Sequence, residues 1–310
     1  MKHFFLMLAL WLCAGLSAQV RIVSYNVENL FDTKHDTLKL DEDFTPKGKY
    51  HWTVSRYYSK INNLSRVLVS VGEWQPPVVV GLCEVENEQC LKDMVSSGPL
   101  RKMEYQYVYQ ESPDQRGIDC VLLYRNKNFR LLHSGFFTVP MPEGERPTRD
   151  IVYAEGIVNK RDTLHIMMCH LPSQLGGTKE TAHKRAIAHR VLQQAVDSIL
   201  QVHPDASIVI MGDMNAKPTD ELRGMHNLMM SFEQQHKGTH KWKGEWSCLD
   251  QFYVSDALLK RVEAHIYDAV WIQHEDEHYG GLEPFRCLYG YKWKNGYSDH
   301  LPIYLDIEKW

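Results

Sequence analysis

The sequence predicts an α/β protein in which two β-sheets pack face to face with helices outside. Three observations carry this: ten strand-like segments, three helical stretches, and no linker, repeat or low-complexity tract between them. Ten strands exceed what one compact open sheet usually carries, so they divide between two sheets. A chain of 310 residues at 44% apolar has enough material to bury a sizeable core.

Residues 1–18 read as an export signal. Lys2 and His3 precede an apolar stretch at 4–12, and Gly15-Leu16-Ser17-Ala18 supplies small residues for cleavage. The mature chain is expected to begin near Gln19 and to form one domain over 19–310. The roughly 15 apolar residues run directly into a strand and are short for a bilayer span, so no transmembrane segment is expected in the mature chain. Trp11 and Leu12 are bulky where a lipidation signal before Cys13 would need a small residue. The expected location is therefore periplasmic or extracellular.

Strand-like runs follow at 21–27, 77–85, 118–124, 129–137, 151–158, 163–169, 207–211, 251–254, 263–271 and 302–307. Helical spacing appears at 54–71, 87–96 and about 179–202, the last with Ile187, Val191, Ala195 and Ile199 along one face. Residues 32–50, rich in Asp, Lys and Thr, read as a long surface loop. After the signal six cysteines remain. Cys83, Cys120 and Cys169 sit in apolar runs where a buried thiol is expected, and Cys248 with Cys287 is the pair to test for a disulfide. No Cys-x-x-Cys is present, which excludes a zinc knuckle or a thioredoxin-like site. A net charge of −4 supplies no polycationic footprint, so a contact with nucleic acid would rest on local patches and metal ions.

Five apolar runs deliver metal- or proton-handling groups at their ends: Tyr25-Asn26-Val27-Glu28, Leu82-Cys83-Glu84, Met168-Cys169-His170, Gly212-Asp213-Met214-Asn215 and Ser298-Asp299-His300. Their chemistry suits hydrolysis at phosphorus, where a cation neutralises oxyanion charge and a base activates water. Hard cations such as Mg²⁺ take oxygen ligands, which Asn26, Glu84 and Asp299 supply. His170 and His300 are suited to donate to a transition state or to carry a proton, each needing a carboxylate to fix its tautomer. Asp119 and Asp250, both at strand starts, are the carboxylates on offer.

Seven ordered motifs, Tyr25-Asn26-Val27-Glu28-Asn29-Leu30-Phe31, Gly81-Leu82-Cys83-Glu84-Val85, Gly117-Ile118-Asp119, His170-Leu171-Pro172-Ser173, Gly212-Asp213-Met214-Asn215, Leu249-Asp250-Gln251-Phe252 and Ser298-Asp299-His300-Leu301-Pro302, span nearly the whole mature chain. In this order the sequence resembles the deoxyribonuclease-I-like endonuclease/exonuclease/phosphatase superfamily. The resemblance implies a four-layer α/β sandwich, with two central, mostly antiparallel sheets flanked by helices and an acidic cleft. It also implies a divalent-metal-dependent phosphoesterase, with Mg²⁺ expected and Mn²⁺ or Ca²⁺ as substitutes.

By the same resemblance Glu84 is the principal metal ligand, helped by Asn26 and Asp299. Asp213 orients or deprotonates the attacking water or binds a second metal, and Asn215 holds that water or a phosphate oxygen. His300 pairs with Asp250 and His170 with Asp119, while Arg149 is a candidate contact to a substrate phosphate. The loops choose the substrate. An exported member points to a nuclease on extracellular DNA or RNA, acting as a monomer without a stable protein partner. The alternative is a phosphodiesterase or phosphatase acting on a lipid headgroup, an inositol phosphate or another small phosphoester. Trp242, Trp246, Tyr279, Tyr289, Tyr291 and Trp293 are candidates for stacking on bases, and residues 237–243 form the best basic patch. A binding module that had lost its chemistry would show a decayed site, and every motif residue is present.

Overall fold

The computed structural model describes residues 20–308; residues 1–18, expected to be an export signal, lie outside the described residues. The chain opens with β1 (Val20–Leu30), helix α1 (Val54–Gly72), β2 (Val79–Val85), α2 (Glu88–Ser96), β3 (Tyr105–Val108) and β4 (Asp119–Arg125). Next come β5 (Phe129–Phe137), β6 (Ile151–Val158), β7 (Asp162–His170), α3 (Ala182–Val202), β8 (Ser207–Asp213) and β9 (Met225–Asn227). After a short helix, α4 (Met230–Gln234), follow β10 (His240–Trp242), β11 (Glu245–Ser247) and β12 (Asp250–Ser255). Then come α5 (Asp256–Leu259), β13 (Val262–Ile266), β14 (Gln273–Glu275), β15 (Leu282–Pro284), β16 (Leu288–Tyr289), β17 (Lys292–Trp293) and β18 (Ile303–Ile307).

Two six-stranded sheets result, ordered β13-β18-β1-β2-β4-β3 and β5-β6-β7-β8-β12-β9. In the first sheet only β1 and β2 pair in parallel. In the second only β7 and β8 do. All ten expected strands are present, and the sheets are mostly antiparallel, as expected. The unexpected strands are short edges and two-stranded hairpins, too brief for a period to show.

The period of two assigns each strand residue to a layer. Ile22, Val79, Cys83, Leu122, Met168, Met211, Phe252 and Leu305 meet between the sheets. The alternate residues Val23, Val80, Leu82, Val121 and Leu123 pack under α1 through Tyr57, Ile61, Leu64 and Leu68. Met167, Cys169, Ile208 and Ile210 lie under α3 through Ala188, Leu192 and Val196. The order of layers is helix, sheet, sheet, helix. Side-chain caps set the first two helix starts: Thr53 accepts from the Arg56 N–H, and Asn87 from the Cys90 N–H at 3.0 Å.

Some boundaries differ from expectation. The strand expected to reach 271 stops at Ile266, because a 3₁₀ turn at Val270–Ile272 follows. Helix α3 starts at Ala182, after the loop that carries Gly176 and Gly177. Its buried face is Arg185, Ala188, Leu192, Ala195 and Val196; Ile187, Val191 and Ile199 are half-buried at its margin. All six described cysteines are free and buried, so Cys248 and Cys287 form no disulfide. Each thiol instead contacts a backbone carbonyl, Cys248 at Lys237 and Cys287 at Gly296.

Two glycines let backbone approach backbone or side chain closely. A Cβ on Gly81 would lie 2.4 Å from the Met168 Sδ, at the contact between the sheets. A Cβ on Gly212, whose φ is 139°, would lie 1.8 Å from the Cys169 carbonyl oxygen. Gly212→Ala should therefore cost about 3 kcal/mol of stability or more. Urea unfolding measures this, and a loss under about 1 kcal/mol would contradict the strained, close-packed reading.

Candidate active site

The topology gathers the motif residues at one end of both sheets. Asn26 and Glu84 are at the carboxyl end of the parallel pair β1/β2, and His170 faces Asp213 in register at the end of β7/β8. Asp250 begins antiparallel β12 opposite Asp213. Asp299 and His300 precede β18, and the Ser298 hydroxyl donates to the Asn26 carbonyl at 2.7 Å, fixing that turn against β1. Ligands commonly meet α/β sheets at such strand ends. Glu84 is the extra residue of a bulge, at the register shift between Cys83 and Val85, with φ 68°. That left-handed backbone takes it out of the alternation that would otherwise aim it at the helix layer.

Asp213 is the centre of the cluster. Its Oδ2 accepts from Asn26 Nδ2 at 3.1 Å and lies 3.5 Å from His170 Nε2 and 3.9 Å from His300 Nε2. Its Oδ1 accepts from the Asn215 N–H at 2.8 Å. Burial first, and then the charge of Asp250, push the Asp213 carboxyl up to about 7 against the pull of His300.

The two imidazoles are driven in opposite directions. Burial works to depress His300, but its ion pair and 2.7 Å hydrogen bond from Nδ1 to Asp250, with the charges of Asp213 and Asp299, raise it well above the ordinary range. His170 is lowered well below that range by burial and by Arg149, Arg116 and His300. Near neutral pH His300 is an imidazolium and His170 a neutral ring.

One expected pairing does not form, and three other residues have protein partners that the sequence did not announce. Asp119 does not meet His170: its carboxylate accepts from the Tyr109 hydroxyl and the Ser112 N–H, and the His170 Nδ1 has no partner. Strand parity is the reason, since Asp119 shares its face with Val121 and Leu123 on the helix side, whereas His170 shares one with Met168 between the sheets. Asn26 turns its amide nitrogen toward Asp213 and, at 3.5 Å, Glu84, while its oxygen accepts from the Glu28 N–H. In this arrangement it bridges two carboxylates. Arg149 is buried, paired with Asp114 at 3.2 Å and donating to the Leu171 carbonyl at 2.9 Å, so it braces the loop after His170. The Asn215 amide donates to the same carbonyl at 3.0 Å and is a second brace.

Other residues enter the site without a motif to announce them. Arg286 donates to Asp299 at 2.9 Å and to Glu28 at 3.2 Å. Exposed Arg116 donates to Asn29. His240, expected in a basic patch, pairs by backbone with His300 and brings its ring centroid to 4.9 Å from it. Burial and His300 lower it to about 4. That patch is further broken because Lys241 pairs with Asp276 at 2.8 Å. Of the candidate stacking aromatics, Trp242, Tyr279, Tyr289 and Tyr291 are exposed, while Trp246 and Trp293 pack into the core margin.

The donor set fits a divalent cation. Glu84 holds Oε2 on the Asn29 N–H at 2.9 Å and turns Oε1 toward Asn26 and His170. Glu84, Asp213, Asp250, Asp299 and Glu28 crowd one cleft, where Glu28 is raised to about 7 by burial and by Asp299. Such unbalanced negative charge on oxygen donors suits a hard ion. His240, Asp299 and His300 also bring one ligand-type atom each to within 4.8 Å of one another.

An acidic cleft that sets a carboxylate between two imidazoles of opposite protonation defines a phosphoric ester hydrolase, and residues 21–309 match the profile of the Endonuclease/Exonuclease/phosphatase family. The chain belongs to that family, whose members depend on divalent metals. A comparison with curated sequences returned no match. Similar solved structures include a humanized Danio rerio TDP2 carrying 14 mutations, at 17% identity and TM-score 0.61 over 94% of this chain and all of that one. The human Nocturnin catalytic domain is similar at 16% identity and TM-score 0.59, covering 94% of each chain. A Bacteroides thetaiotaomicron mannosyl-6-phosphatase is similar at 14% identity and TM-score 0.58, over 92% of this chain and 98% of that one.

Because Asp250 is the strongest of the groups that raise His300, Asp250→Asn should lower the His300 pKa. The alkaline limb of a kcat–pH profile, where the imidazolium is lost, should then move to lower pH. An unmoved limb would assign it to another group.

Proposed function

We propose that the protein is an exported, Mg²⁺-dependent phosphodiesterase whose substrate is extracellular DNA or RNA. The observation that carries the reading is the Asp213 carboxylate, raised to about 7 and flanked by an imidazolium and a neutral imidazole. One ionised carboxyl near its midpoint beside one charged ring is a matched base and acid. Danio rerio TDP2, a fold neighbour, has been solved with a single-strand DNA product, which agrees with a strand-shaped substrate.

A cation held by Glu84 with Asp299 would neutralise charge on the phosphoryl oxygens. Asp213 takes the proton of the attacking water, held in line by its hydrogen bonds from Asn26 and the Asn215 N–H. His300, oriented by Asp250, gives its proton to the leaving oxygen. Neutral His170 donates from Nε2 to a non-bridging oxygen, and no covalent intermediate is needed. Arg116 and the exposed aromatics Trp242, Tyr289 and Tyr291 are the side chains this reading assigns to the rest of a polyanion with bases. The export reading rests on the composition of residues 1–18, and among the described residues no helix is long and apolar enough to cross a membrane.

The test is metal-dependent cleavage of plasmid DNA, RNA, sphingomyelin, inositol phosphates and a chromogenic diester by residues 19–310. His300→Ala and Asp213→Ala should each lower turnover by about 10²–10⁴-fold with the fold intact. EDTA should abolish activity. Cleavage of only a small phosphoester or a lipid headgroup would replace the nuclease reading, and near-wild-type turnover in either variant would remove that residue from its role.

A further inference from the structure

On the His170 side of the reaction centre lies a cavity of about 250 Å³ lined by Arg116, Arg146, Thr148, Arg149, Ser173 and Lys184. Four of these six are cationic. The one carboxylate in the lining, Asp114, is engaged with the Arg149 guanidinium and the Arg116 N–H. Lys184 is half-buried and paired with Glu145 at 2.8 Å, whereas Arg146 is exposed and has no protein partner among the described residues.

Two buried polar atoms in the lining are unmatched. The Thr148 hydroxyl and the Arg149 Nε have no hydrogen-bond partner, in residues only 5% and 7% exposed. Buried donors left unmade are costly and uncommon. Met141, Pro147, Pro172 and Leu175 complete the lining, but its guanidinium, ammonium and hydroxyl donors repel cations, and the complement of those donors is a compact anion.

Position ties the cavity to the chemistry. Pro172 and Ser173 follow His170 by two and three residues, and Arg149 holds the Leu171 carbonyl between them. Arg116 and Arg149 are close enough for their charges to act on the His170 ring.

We propose that this cavity is a second anion subsite, holding a further phosphate group of the substrate beside the scissile one. It rests on the phosphoesterase reading of the neighbouring centre. It makes a molecule with two phosphate groups the preferred substrate class, whether a flanking nucleotide phosphate or the second phosphate of a small bisphosphate.

Inorganic phosphate titrated calorimetrically into the EDTA-treated chain should bind. Arg146→Ala combined with Lys184→Ala should weaken that binding about tenfold, and Thr148→Val should weaken it in the same direction without removing a charge. In Mg²⁺, Arg146→Ala should raise KM about tenfold for a 5′-phosphorylated thymidine dinucleotide at constant kcat. KM for a chromogenic one-phosphate diester should stay within about twofold. A sugar bisphosphate in place of the dinucleotide identifies the source of the second phosphate by which KM responds. Phosphate binding that survives both charge removals, or equal KM changes on one- and two-phosphate substrates, would overturn the proposal. The calorimetry needs no turnover, so absence of activity on every substrate would sink the hydrolase reading alone.

Discussion

The Asp213 carboxylate, sealed from solvent and yet within 3.9 Å of both imidazoles, is the constraint around which the cleft is organised. Burying a carboxylate beside Asp250 is unfavourable unless donors and cations surround it. Asn26, the Asn215 N–H and His300 supply part of that compensation. What they leave uncompensated is what makes the group a proton acceptor near neutral pH. Removing Asp250 would relieve Asp213 and weaken His300 together, so the base and the acid are tuned by one neighbour.

The position of Asp213 is itself set by the two parallel strand pairs. Each sheet contains one, and in each the two strands end together at the cleft, β1 with β2 and β7 with β8. Antiparallel neighbours enter from the same edge, which brings in Asp250 and the turn before β18. Gly212 lets β8 lie against the Cys169 carbonyl just before Asp213. Sheet contact and site geometry are therefore one structure: Met168 and Met211 pack around Gly81 between the sheets, each two residues before His170 and Asp213.

Much of this was legible in the sequence because the decisive groups sit at the ends of apolar runs. Glu84, His170, Asp213, Asp250, Asp299 and His300 converge as their motifs imply, and the His300–Asp250 pair forms. Asp119 failed because a strand's period of two tells which residues share a face without telling which face looks inward. The bracing part of Arg149 was not legible because the sequence does not show that Asp114 and the Leu171 carbonyl would hold its two terminal nitrogens. His240, Arg286 and Arg116 arrive from short hairpins and turns, where three-residue strands leave no pattern to read. The pairing of β10 with β11 was the available signal for His240, and it lasts only three residues.

All six described cysteines are reduced and buried, and among the described residues no covalent cross-link joins the layers. The sandwich is held by non-covalent contacts, chiefly its three apolar cores. Among the described residues dithiothreitol or glutathione therefore has no bond to break, and their folding waits on no disulfide exchange. Producing residues 20–308 in recombinant form therefore calls for no disulfide-forming oxidant.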